Sequence, residues 1–143
     1  MAVNVGQRNV PDTPQNRQLD AGIKAKELAL HTIKICCNKN IFLQEYQSAL
    51  TDDIIRTAKD IYKNVKAANN IRVIENDPET WNERRKLQKK AIRGCGDLIS
   101  CISLAKSLFH LKGKKVKYWI NLTTEAMEKI KKWHESDIKR YGK

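Results

Sequence analysis

The segment 50–72 places apolar residues at Leu50, Ile54, Ala58, Ile61, Val65 and Ala68. Steps of three and four keep all six on one side of an α-helix. The cations Arg56, Lys59, Lys63 and Lys66 follow the same rhythm on the other side. The pattern predicts a helix over about 47–72, one face for a core and one for water or an anionic partner. Three further segments share the period. Over about 19–38, Ile23, Leu30, Ile33 and Cys37 make the expected core stripe, flanked by Leu28 and Ile35. Over about 78–111 the stripe is Leu87, Ala91, Gly94, Leu98, Cys101, Ala105 and Leu108, with Ile102 and Phe109 beside it. Over about 115–138 it is Val116, Trp119, Thr123, Ala126, Ile130 and Trp133.

Punctuation supports these limits. Asp77 before Pro78 reads as an N-cap followed by a first-turn proline, and Gly113 as the residue just past a helix end. Gly94 and Gly96 cost helix propensity, for which close approach of another backbone is the usual reason. Ile41-Phe42-Leu43 is a short apolar connector expected to fold over one end of the core. No segment alternates apolar and polar residues long enough for a strand. Four amphipathic helices with short connections predict an all-α fold, an antiparallel up-down-up-down four-helix bundle. The expected division is a flexible N-terminal tail over 1–18, the bundle over 19–138, and a basic tail over 139–143.

Composition adds the charge. The 143 residues carry 28 Lys and Arg against 16 Asp and Glu, a formal net charge of +12. Such an excess attracts polyanions, RNA or DNA first and an acidic protein surface second. No apolar run reaches the roughly 20 residues of a membrane span, and the N-terminus lacks a secretory h-region, so a cytoplasmic location without membrane contact is expected. The four cysteines lack paired zinc spacing and read as reduced, packed thiols.

Catalytic chemistry has little to stand on. His31, His110 and His134 fall on three separate segments, and none belongs to a His-Glu-x-x-His or Glu-x-x-His motif. There is no phosphate loop and no nucleophile elbow, and His134 beside Glu135 reads as a solvated pair. The expectation is a protein that is not an enzyme and takes no cofactor or metal. The strongest remaining signal is basic. To the stripe on the second helix the third adds Arg84, Arg85, Lys86, Lys89, Lys90 and Arg93, with little acid between. Phosphate contacts from Arg56, Lys59, Lys63, Lys66, Arg84, Arg85, Lys89 and Arg93 are expected, with little base specificity. Aromatic residues are few, so stacking is not the main mode; Trp81, Tyr62 and Tyr118 are those to watch for exposure. An acidic protein partner is the alternative.

The order of features resembles the four-helix-bundle accessory proteins of diversity-generating retroelements, the accessory variability determinant family. The landmarks are Ile41-Phe42-Leu43 after the first helix, Leu50 and Ile54 opening the second, Ala68-Asn69 at its end, Leu104-Ala105-Lys106 late in the third, and Trp133 near the end of the fourth. They span most of the chain. Two departures stand out: the connector lacks Pro-Lys, and Lys131-Lys132 replaces a Gly-Gly before the final Trp. The rRNA intervening-sequence proteins share this bundle. The resemblance implies a homopentamer with a basic surface. It implies partnership with a reverse transcriptase and its structured template RNA or cDNA, in support of mutagenic cDNA synthesis, and no catalytic residue in the accessory protein itself.

Overall fold

The computed structural model describes residues 11–142. They form four long helices, α1 (Pro14–Cys36), α2 (Asp52–Asn69), α3 (Pro78–Phe109) and α4 (Gly113–Tyr141). Among the described residues there is no strand, only an isolated bridge between Ile74 and Asp77 in the α2–α3 loop. None of the helices is long and apolar enough to cross a membrane.

The helix starts follow local chemistry. Asp77 caps α3, its carboxylate accepting from the Glu79 amide at 3.2 Å with Pro78 behind it. Thr13 and Pro14 do the same for α1, the Thr13 hydroxyl accepting from the Asn16 amide at 3.2 Å. α1 therefore begins at Pro14, inside the segment expected to be a flexible tail; the rest of that expectation, residues 1–10, lies outside the described residues. At the other end α4 runs through Lys139 and Arg140 to Tyr141, so these basic residues are helical, and Lys143 lies outside the described residues. A 3₁₀ turn (Gln44–Tyr46) and a π-helical turn (Gln47–Thr51) lead into α2, so the regular helix starts later than its apolar period does. The α3–α4 turn differs from expectation. His110 holds the left-handed conformation at φ 55° and ψ 49°, while Gly113 opens α4.

α1 packs on α2 and α4, and α3 packs on the same two. One core fills the space between them. From α2 it takes Leu50 of the π-helical turn and then Ile54, Ala58, Ile61, Val65 and Ala68, and from α4 all six expected residues. Phe42 turns inward from the connector and is fully buried, its ring 4.7 Å from Phe109 and 6.2 Å from Trp119.

α1 and α3 are turned relative to expectation. The buried residues of α1 are Ala21, Ala25, Leu28, Ala29, Thr32 and Cys36, whereas Ile23, Leu30 and Cys37 are exposed and Ile33 half-buried. Small side chains face inward because α4 brings two wholly buried tryptophans, and Trp119 Nε1 donates to Thr32 Oγ1 at 3.0 Å. Large residues on one helix fit against small ones on the next. On α3 the buried face is Trp81, Arg84, Gln88, Ala91, Cys95, Leu98, Ile102 and Ala105; Leu87 and Cys101 are half-buried and Leu108 is exposed. Gly94 earns its place, since a Cβ there would lie 2.8 Å from Ile61 Cγ1, a side chain of α2 and not its backbone. Gly96 has no such reason, with nothing within 4 Å.

Candidate nucleic-acid interface

Because the buried face of α2 is continuous, its cation stripe is forced outward. Arg56, Lys59, Lys63 and Lys66 are all exposed. Arg56 Nη1 pairs with Asp53 Oδ1 at 2.6 Å, an exposed i,i+3 contact of small energy. Lys59, Lys63 and Lys66 form no ion pair among the described residues. On α3, Lys86, Lys89, Lys90 and Arg93 are exposed and Arg85 is half-buried. Lys90 and Arg93 join Thr57, Asn64 and Gly94 in a shallow groove between the two helices, about 240 Å³ in volume. Asp60 and Asp97 line the same groove, so acid does lie between the two basic clusters, contrary to the reading of the sequence. Of the expected cations only Arg93 lines this groove, with Lys90 beside it and two carboxylates for neighbours; the α2 cations stand on the exposed face of their own helix.

Arg84 is not among them. It is 6% exposed, and its Nε donates to Asp137 Oδ2 at 2.7 Å. Its Nη1 donates to the Ile71 carbonyl at 3.1 Å and its Nη2 to Gln18 Oε1 at 3.2 Å. The guanidinium also lies 5.2 Å from the centre of the Trp133 ring. With each of its three nitrogens bonded and its side chain buried, Arg84 ties four segments together and leaves the set of candidate phosphate contacts.

The same polar network explains His134. Gln88 donates from its amide nitrogen to Asp137 Oδ2 at 2.8 Å, which leaves its oxygen to accept from His134 Nδ1 at 2.6 Å. The imidazole is buried and stacks on Trp81 with the planes 26° apart. It is not the solvated partner of Glu135 that its neighbours in sequence suggest. Burial, reinforced by Lys89, holds its pKa below the usual histidine value, favouring the neutral ring that donates from Nδ1. His31 is lowered as well, by burial and then Lys34. The four cysteines are free thiols. Burial pushes Cys36 and Cys95 up to about 12, so neither is a nucleophile at neutral pH, while Cys37 is exposed.

One basic region escaped the sequence reading. Lys106, Lys112, Lys114, Lys115 and Lys117 surround the α3–α4 turn, all exposed and none in an ion pair among the described residues. The first turn of α4 contains no acid and has no side-chain cap. Lysines at the positive end of a helix repel its dipole, so this region favours an anion. The signal was present as the run Lys112-Gly113-Lys114-Lys115, read there only as a helix boundary. Of the aromatic residues to watch, Tyr118 is 55% exposed, Tyr62 half-buried, and Trp81 buried at 8%.

Among the described residues no group of three His, Cys, Asp or Glu side chains could hold a metal ion. What the arrangement offers chemically is unpaired positive charge on rigid helices. No protein-family model, no curated protein and no solved structure matches the chain.

Proposed function

We propose that this chain is the non-catalytic accessory protein of a diversity-generating retroelement, which binds the reverse transcriptase and its structured template RNA and supports mutagenic cDNA synthesis. The observation that carries this reading is the outward face of α2 with Lys59, Lys63 and Lys66, with Arg93 exposed on the neighbouring α3. These cations stand on rigid helices without carboxylate partners. The order of landmarks from Ile41 to Trp133 adds the kinship. Cytoplasmic residence, a homopentameric assembly and the antiparallel up-down-up-down order belong to the same reading. That order is supported by pairs joining the start of one helix to the end of another, such as Arg84 with Asp137 and Gly22 beside Asn69. In this role the bundle works by charge and shape, contacting phosphates and reading little sequence.

A second reading has its own observation. Leu19, Ile23 and Leu30 are exposed on one side of α1. An apolar row of this kind favours contact with protein, and an interaction bundle of the rRNA intervening-sequence type would use it without RNA.

The two part in a salt titration of binding to a structured RNA. With Lys59, Lys63, Lys66 and Arg93 all changed to Gln, the slope of log affinity against log salt should flatten by about three to four units. A slope that does not move removes the RNA role and leaves the protein-interaction reading.

A further inference from the structure

Where α3 begins and α4 ends, a cavity of about 600 Å³ opens beside the α2–α3 loop. Its size lies within the range of small-ligand sites, and its walls carry two aromatic rings and two arginines. Trp81 and Tyr141 supply rings 5.7 Å apart at 47°, and His134 stacks behind Trp81. Arg140 rests over the Tyr141 ring with its guanidinium 4.9 Å from the centre. Arg85 lines the same cavity, as do Asn82 and Glu75. The loop side is held in place by local bonds: the Ile74 amide donates to Thr80 Oγ1 at 2.9 Å, and that hydroxyl donates to the Asp77 carbonyl at 2.8 Å.

We infer that this cavity is a binding site for one nucleotide, its base lying on the Tyr141 ring beside the buried Trp81 and its phosphate between Arg85 and Arg140. Planar aromatic groups hold a base by its face, and two guanidiniums suit a phosphate through their paired donors. The place over Tyr141 is held by Arg140, a planar cation that is itself exposed. A base can replace it there while the freed guanidinium turns to the phosphate. Asn82 and Glu75 offer both donors and acceptors for the edge of a base. The inference deepens the nucleic-acid reading and rests on it. It adds one place where a base is held to a surface that otherwise contacts phosphate alone.

The three tryptophans make the site observable. Trp119 and Trp133 are wholly buried in the core, so their indole N–H signals serve as internal controls, and Trp81→Phe identifies the third. Adenosine 5′-monophosphate is titrated into the full chain labelled with nitrogen-15, with adenosine and inorganic phosphate as separate controls. The expected result is a saturable shift of the Trp81 signal alone, with each control at least about tenfold weaker. Tyr141→Leu, and the pair Arg85→Gln with Arg140→Gln, each weaken the nucleotide about tenfold, in line with a lost stacking or charged contact. Unchanged Trp119 and Trp133 signals report that these variants keep their fold. A six-residue oligoadenylate separates the sources. Tighter binding than the mononucleotide at the same signal assigns an unpaired nucleotide of a strand, and equal or weaker binding assigns a free one. The site is overturned if the Trp81 signal stays still at about 10 mM nucleotide, or if phosphate alone moves it as far. The variant with Lys59, Lys63, Lys66 and Arg93 changed to Gln keeps the two readings apart. A salt slope that this variant leaves unmoved, with the nucleotide shift intact, defeats the RNA role alone; a silent Trp81 with a slope that the variant flattens defeats the cavity alone.

Discussion

Arg84 carries its charge into the core and finds Asp137 there, 53 residues further along the chain. A buried ion pair adds little over a well-packed apolar pair, but removing one partner strands the other. Asp137→Ala should therefore cost about 3 kcal/mol or more in denaturant unfolding, since it orphans both the guanidinium and the Gln88 amide. A loss below about 1 kcal/mol would mean that the network is wetter than its burial indicates. The two central glycines of α3 separate in the same assay. Gly96→Ala meets open space and should stabilise by about 0.5–1 kcal/mol, the usual helix advantage of alanine. Gly94→Ala should show none of that gain, because its Cβ presses on the buried Ile61. Neither Arg84 nor Gln88 could be read as core residues from the pattern alone. Both are polar, and what makes their burial tolerable is a partner on another helix, which a local pattern does not contain.

α2 and the apolar stripe of α4 from Val116 to Trp133 were legible because every residue of the periodic stripe is buried; the buried polar end of α4, His134, Ser136 and Asp137, was not. α1 was not. Three of its large apolar residues, Leu19, Ile23 and Leu30, are exposed, while its alanines face the core beside Leu28 because α4 supplies the bulk. A pattern that weighs large residues turns such a helix the wrong way, and only the partner's side chains set it right. The rotation can be checked by two substitutions followed by thermal or chemical unfolding. Ala25→Leu forces extra volume into a filled site and should cost about 1–3 kcal/mol. Leu30→Gln, a change to an exposed residue, should stay within about 0.5 kcal/mol of the native chain. The reverse order would restore the face predicted from the sequence. The basic stripe on α2 was readable for the same reason that its core stripe was. The lysines of the α3–α4 turn were present as a run but carry no helical period of their own, and the cavity beside Trp81 was not readable, since it is assembled from segments far apart in the chain.

For the molecule as a whole, acid and salt act on the same excess of charge. His31 and His134 both have folded-state pKa values below 6.5, so the unfolded chain takes up their protons first as pH falls. Their contribution to stability is complete above about pH 6.5 and is lost as pH drops through the lowered folded values. Thermal midpoints measured from about pH 8 to pH 5 should decline over that window, and the decline should shrink when both imidazoles are replaced by amides. An identical decline without them would point to carboxylates instead. The unpartnered cations on α2 and around the α3–α4 turn carry a further consequence. Like charges held at close quarters push against the folded shape, so dissolved ions that screen them should tighten the free protein. The same ions loosen its grip on any polyanion. The chain is therefore least at ease when alone in dilute buffer, and a bound strand would act on it as a counter-ion cloud with a fixed address.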